Sequence, residues 1–436
     1  MPWFSETADF IGWDRIEQLM AQTAAEARRR ICANPKRVLL LPPDLTRAHS
    51  GVGRMTEMLY HHFAGSADVH VIPTLGQHQP HTPEENKWMF GSIPNEKIHA
   101  HDWKEGCVEV GVMPADYIKK ISAGAADWEM PITLNKMLME EKWDLIINIG
   151  HVVPHEVLGF ANHNKNYFIG LGGKPSLCAS HIMASACGIE NNLGNLLTPV
   201  RATFNKAEKE LLGHLPDLYV QVVLARDDAG KLVHKGVHVG EDLETYLTAA
   251  RQSRELNITV FEEPVQKIVC VMQADEFVST WVANKAVYRT RMALADGGEL
   301  VIIAPGLKRF GEQPEIDHLI RKYGYVGNDA VMKAYHANAD LQDLANAAAH
   351  LINGSSEGRF KITYAPGFVS REEIESVNFG YADLQETLKR YPPESLKEGW
   401  NTTADGEKFF FIATPSAGLW STRDKLYNRP AELQPE

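Results

Sequence analysis

The chain has 436 residues, enough at roughly 150 per domain for two or three domains with cores of their own, so no disulfide or structural metal is needed to hold it. Hydrophobic residues at 44% and charged residues at 23% lie near the soluble average and exclude long disorder and low-complexity scaffolds. A formal net charge of −12 repels nucleic acid and anionic membrane, so any anionic ligand needs a local cluster of donors.

The opening MPWFSETADF lacks a basic region followed by an apolar stretch, and no 18-residue apolar run occurs. The expectation is a cytoplasmic protein with neither signal peptide nor membrane span. Residues 14–31 then read as an amphipathic helix, RVLLLP as a buried strand, VGRMTEMLYHHF as a helix and VHVIPT as a strand. At TPEEN, Thr82 can cap a helix with Pro83 at its first position and Glu85 closing a capping box. WDLIINIG (143–150) is the clearest buried strand, and the polar, Gly- and His-rich stretch after it reads as a loop at a strand's carboxyl end, where open α/β sheets place ligands. A second series follows: KIVCVMQ as strand, ANKAVYRTRMALAD as helix, ELVIIAPG as strand, residues 328–352 as one long helix, then RFKITYAP and KFFFIATP as strands.

This alternation predicts α/β architecture: two α/β domains with mainly parallel sheets and an active-site cleft between them. The boundary falls near residues 255–266, giving an N-terminal domain over 1–260 and a C-terminal domain over 267–414, with the tail 415–436 free to return to the first. The five cysteines, Cys32, Cys107, Cys178, Cys187 and Cys270, are odd in number and form no CxxC pair, which fits reduced thiols.

Twelve of the eighteen histidines lie between His49 and His181, so the chemistry is sought there. Asp44-Leu45-Thr46-Arg47 directly follows a strand, and Arg47 could fork onto a carboxylate. Gly76-Gln77-His78-Gln79-Pro80 also follows a strand and precedes the capped helix, a good place for acid/base work. The densest stretch, 151–181, holds His151, His155, His163, His181 and Lys165. Pro154 between His151 and His155 argues against a helix bearing two zinc-facing histidines. GLGGK (170–174) fails as a P-loop, and its glycines are read as permitting close backbone approach to a ligand.

The spacing resembles the signature of the nickel-pincer lactate racemase family, in which a lysine follows a histidine by ten residues and a second histidine follows the lysine by sixteen. Here those positions are His155, Lys165 and His181. The D-x-T-R turn (Asp44, Thr46, Arg47), the G-x-H-x-P element (His78, Pro80) and Lys285, twelve residues before Gly297, occur in the same order.

That resemblance implies a racemase or epimerase of 2-hydroxy acids working by reversible hydride transfer. The cofactor would be a pyridinium mononucleotide with two sulfur-bearing arms, covalently bound to Lys165 and holding nickel with His181 as the protein ligand. His78 and His155 would be the acid/base pair, Arg47 and Lys285 would hold the substrate carboxylate, and Asp44 and Thr46 would lie against the cofactor. It further implies cofactor-maturation proteins as partners, with no nucleic acid or membrane partner; a homo-oligomeric state is left open.

The substrate pocket departs from the lactate-specific pattern: Leu45 stands for a histidine, Ala161-Asn162-His163-Asn164 for S-G-G-R, Glu156-Val157 for an aromatic pair, and Trp281-Val282 near Lys285 for tyrosine and glutamine. Asn162, His163 and Trp281 are accordingly read as substrate-facing, which favours a sugar acid (an aldonate such as gluconate) over lactate or another short 2-hydroxy acid. A competing reading is a zinc- or iron-dependent lyase or hydrolase that takes its ligands from the His151–His181 cluster.

Overall fold

Ile16, Leu19, Met20, Thr23, Ala24 and Ala27 recur at three- and four-residue steps, and this stripe is the buried face of the helix Trp13–Arg30. The helix covers one face of a six-stranded sheet. Its strand order is Phe4–Thr7, Leu232–Gly240, Asp217–Arg226, Leu145–His151, Arg37–Leu41, Asp68–Val71. The last four are parallel neighbours and the first three are antiparallel. Leu145–His151 is buried along its whole length, as its continuous apolar run requires of a central strand. The carboxyl ends of Arg37–Leu41, Asp68–Val71 and Leu145–His151 share one edge of the sheet. They therefore deliver the segments that start at residues 42, 72 and 152 to the same place.

The computed structural model describes residues 1–227 and 229–428. They divide into two units, the first formed by 1–180 and 196–257, the second by 181–195 and the chain from Ile258 onward. The second unit is built on a sheet ordered Gly380–Tyr381, Lys361–Pro366, Leu294–Ala304, Val265–Val271, Lys408–Ile412, Gly399–Thr402, parallel except for its last pair. Two α/β units with mainly parallel sheets are thus present, as the alternating pattern predicts.

Several details differ from the sequence reading. Segment 181–195 sorts with the second unit, and in the described part of the tail Leu419–Thr422 pairs in parallel with Ile258–Phe261. The long helix over 328–352 is three helices, Asn328–Ala337, Ala339–Asp343 and Ala345–Asn353. Asn338 is extended (φ −131°, ψ 121°) and Leu344 leaves the helical region (φ −118°, ψ 57°). The Asn338 side chain caps the first of these by donating to the Ala334 carbonyl at 2.7 Å. The helix read over 283–296 stops at Thr290, because Leu294–Ala304 is already strand. All five cysteines are free. Among the described residues no helix is long and apolar enough to cross a membrane.

Candidate active site

The turn after Arg37–Leu41 is a short 3-10 helix, Leu45–Ser50, which ends where Gly51 takes a left-handed φ of 69°. Asp44 precedes it and is 6% exposed. Its carboxylate accepts the Thr46 hydroxyl at 2.6 Å and pairs with Nδ1 of His78, a residue 34 positions away in the loop after Asp68–Val71. Burial alone would raise the Asp44 pKa. The His78 hydrogen bond and charge, the Thr46 hydroxyl and the Lys165 charge outweigh it and hold the carboxyl at about 2. Asp44 is thus an anion that fixes His78 by Nδ1, with Nε2 on the other side of an exposed ring. The sequence reading gave Asp44 only a place against a cofactor and missed this pairing.

Lys165 lies half-buried between His163 and a π-helical turn, Asn166–Gly170. Burial and the nearby Arg47 charge push its ammonium down to about 8, against the pull of Asp44 and Glu156. Arg47 is itself half-buried and feels both Asp44 and Glu156. Asp44, Thr46, Arg47, His78 and Lys165, read separately from three stretches of sequence, are therefore brought together, with Glu156 as an addition. Gly76, at φ 57°, donates its N–H to the Gly170 carbonyl at 2.9 Å and so ties the His78 loop to the turn after Lys165.

His155 sits on a two-residue antiparallel pairing, Pro154–His155 with Gly159–Phe160, and its Nδ1 accepts the Val157 N–H at 3.2 Å. A ring that accepts at Nδ1 is neutral and carries its proton on Nε2. In the second unit, Trp281 on Thr280–Ala283 lies against His350 with ring centroids 4.5 Å apart, and Nζ of Lys285 lies 5.9 Å from the Phe277 ring centroid. His181 is half-buried on the helix Lys174–Ala186; the division between the units falls just before it.

Three expectations change. Asn162 and His163 do not offer their polar groups outward. They are 3% and 2% exposed, Asn162 bonds Gln221 at 2.7 Å and Asn166 at 2.5 Å, and His163 stacks on Tyr219 with centroids 4.0 Å apart. Their polarity serves a buried turn. The glycines of GLGGK make room for the protein's own atoms: a Cβ on Gly170 would stand 2.5 Å from Thr74, on Gly172 2.0 Å from the Phe168 carbonyl, and on Gly173 2.7 Å from Thr133. Finally, among the described residues no group of three or more His, Cys, Asp or Glu is placed to hold a metal ion. His151, read with that cluster, is buried with its ring edge-on to His49 at 6.0 Å and is driven neutral by burial and by Arg47.

A carboxylate–imidazole pair and a half-buried lysine are thus gathered at one sheet edge of the first unit. Residues 14–190 match the family model of the lactate racemase N-terminal domain. The chain is similar over 96% of its length, and over all of the other chain, to a Thermotoga maritima protein solved by a structural genomics consortium (TM-score 0.76, 23% identity). It is also similar to the lactate racemase apoprotein from Thermoanaerobacterium thermosaccharolyticum, covering 93% of this chain and 92% of that one (TM-score 0.67, 16% identity). No curated protein matches the sequence.

Proposed function

We propose that this protein is an isomerase, a racemase or epimerase of 2-hydroxy acids that carries a nickel-pincer nucleotide on Lys165. The observation that supports it most is the Asp44–His78 pair beside Arg47, Glu156 and Lys165, a proton-handling imidazole next to a carboxylate-binding guanidinium and an unusually acidic ammonium.

The residues fit the group. An amine that loses its proton near pH 8 is nucleophilic enough to be acylated, as attachment requires. A protein that converges no three metal ligands suits a metal whose other donors come with the cofactor, His181 being the proposed protein ligand. When bound, the group would supply the hydride acceptor that the weakly acidic C2–H of a hydroxy acid demands.

Arg47 would hold the substrate carboxylate in a two-pronged grip, with Lys285 as the second cation and Trp281 beside it. His78, oriented by Asp44, would take the C2 hydroxyl proton on Nε2 as the hydroxyl becomes a carbonyl, and return it when hydrogen is restored. Inversion needs the same service on the opposite face, the role proposed for His155. The competing zinc or iron reading needs three of its histidines to converge, and the described residues offer no such group.

On substrate, the argument for an aldonate drew on Asn162 and His163, with Asn164 and Glu156 nearby, as substrate-facing groups. Asn162 and Asn164 spend their amides inside the first unit and the His163 ring is buried against Tyr219, so the reading is held at the class of 2-hydroxy acids. The deciding experiment incubates protein matured with the cofactor-synthesis proteins with lactate, malate and gluconate in D2O, then resolves C2 configuration and isotope. Inversion with hydrogen retained at C2 is expected. Deuterium entering C2 during inversion would mean proton abstraction and would refute the hydride reading.

A further inference from the structure

Lys165 follows two residues whose backbone is not in an ordinary region. Asn162 and His163 have φ of 66° and 58°, the left-handed conformation that L side chains adopt only when their surroundings impose it. Beyond the lysine comes a single π-helical turn, itself uncommon outside functional sites. The lysine therefore emerges between two unfavourable conformations, and something must hold them.

The holding group is Arg201, fully buried on the helix Pro199–Ala207. Its Nη2 donates to the Phe160 carbonyl at 2.7 Å, both terminal nitrogens reach the Asn162 carbonyl at 3.4 Å, and Nη1 also donates to Oδ1 of Asn164. The guanidinium rests 4.2 Å from the Tyr246 ring centroid. Asn164 passes the tie onward by donating to Glu208 at 2.9 Å. From the sheet side, Asn148 donates to the His163 carbonyl at 3.2 Å, and the strand is bare at Gly150, where a Cβ would stand 2.3 Å from Oδ1 of Asn162. Arg201 thus spends its terminal nitrogens on residues 160, 162 and 164, the chain leading into Lys165. A planar fork places its donors far enough apart, and in a fixed geometry, to hold acceptors on residues 160, 162 and 164 together; the compact, freely rotating ammonium of lysine does not reproduce that spread.

We propose that Arg201, acting through Asn164 and the left-handed pair Asn162–His163, is the positioning residue for Lys165, fixing the direction in which its amine leaves the turn toward Asp44, Arg47 and Glu156. The consequence for cofactor attachment rests on the reading of Lys165 given above; the positioning itself does not.

The test uses the full chain made without the maturation proteins. Acylation of Lys165 by acetic anhydride is followed by peptide mass across about pH 6 to 10, a window that spans ordinary lysine. In the unsubstituted protein the midpoint is expected near 8. Arg201→Lys keeps the charge and loses the fork, so the midpoint should rise toward that of an exposed lysine while circular dichroism stays native. Adduct formation on Lys165 in the presence of the maturation proteins should fall about tenfold or more, the scale of a misplaced reacting group. Replacing Asn162 and His163 by glycine in the Arg201→Lys background should restore both readouts, because glycine takes the left-handed backbone freely. That rescue is not expected of a residue that only stabilises the fold. Asn164→Ala, which cuts the same path, serves if Arg201→Lys does not fold. An unchanged midpoint and unchanged adduct yield in the folded variant would overturn the proposal. A wild-type protein that never carries an adduct would defeat the attachment reading alone, with the midpoint still deciding the positioning.

Discussion

At the scale of single residues, the Asp44 carboxylate is the clearest case of a role that local sequence hides. The D-L-T-R turn and the G-Q-H-Q-P element are both legible as strand-end loops, but nothing in their spacing says that the acid of one meets the imidazole of the other; that depends on the order of strands in the sheet. Asp44→Asn keeps the shape and removes the charge that holds Nδ1 of His78. On the function proposed above, turnover is expected to fall about 10²-fold, the usual cost of a misheld general acid/base, with the proposed Lys165 adduct unchanged by mass spectrometry. Loss of the adduct together with activity would instead assign Asp44 to the cofactor. Asn162 and His163 teach the converse. Polar residues in a loop at a strand end look the same in sequence whether they face a ligand or pin a buried turn, and the partner that decides, Arg201, lies 37 residues after Asn164.

Elements with their own chemical punctuation were the most legible. Thr82 accepts the Glu85 N–H while the Glu85 carboxylate accepts the Thr82 N–H, the reciprocal cap read from TPEEN. Thr82→Ala should cost about 1 kcal/mol in urea unfolding. The hairpin of Asp217–Arg226 and Leu232–Gly240 was passed over although turn-forming residues at 227–231 separate two apolar runs; the reading followed helix–strand alternation, which suits parallel sheets and overlooks an antiparallel edge. That hairpin carries a testable acid. Burial raises the Asp217 carboxyl to about 6 against the hydrogen bonds from Tyr167 and Tyr219, which lower it, and burial with the Asp217 charge raises Glu208 to about 7. Folded-state values above the ordinary ones mean that the native protein binds more protons, so stability declines as pH rises from about 4 to 7. Asp217→Asn should flatten that slope in thermal melts taken across this range, by on the order of 1 kcal/mol or more. An unchanged slope would show that other groups set it.

For the molecule as a whole, the two α/β units were legible from the alternation of short apolar runs with helical stripes; the first unit's described chain ends at Asn257. What local pattern could not show is that 181–195 sorts with residues after 258, because the tie is a charge placed among distant partners. Glu190 bonds Arg291 at 3.1 Å, Arg359 at 2.5 Å and Lys425 at 3.1 Å. Burial would raise its pKa, and Arg291, Lys425 and Arg359 together bring it to about 2. This stabilisation is complete above the ordinary glutamate value of 4.5 and is lost as pH falls toward 2. Glu190→Gln leaves Arg291, 2% exposed, without its acid, and should cost about 3–5 kcal/mol in chemical denaturation at neutral pH. A cost near that of a surface ion pair would show that the arginines find other partners.

The same tie bears on how the chain is made. Glu190 leaves the ribosome 101 residues before Arg291, 169 before Arg359 and 235 before Lys425. At the usual 5–20 residues per second that last interval is roughly 10–50 s, during which segment 181–195 waits for the sheet it joins. The nascent first unit must therefore tolerate an early-made guest segment that belongs to its neighbour. A chain that stops short of Lys425 lacks one of the three cations on Glu190, a residue made more than half a protein earlier.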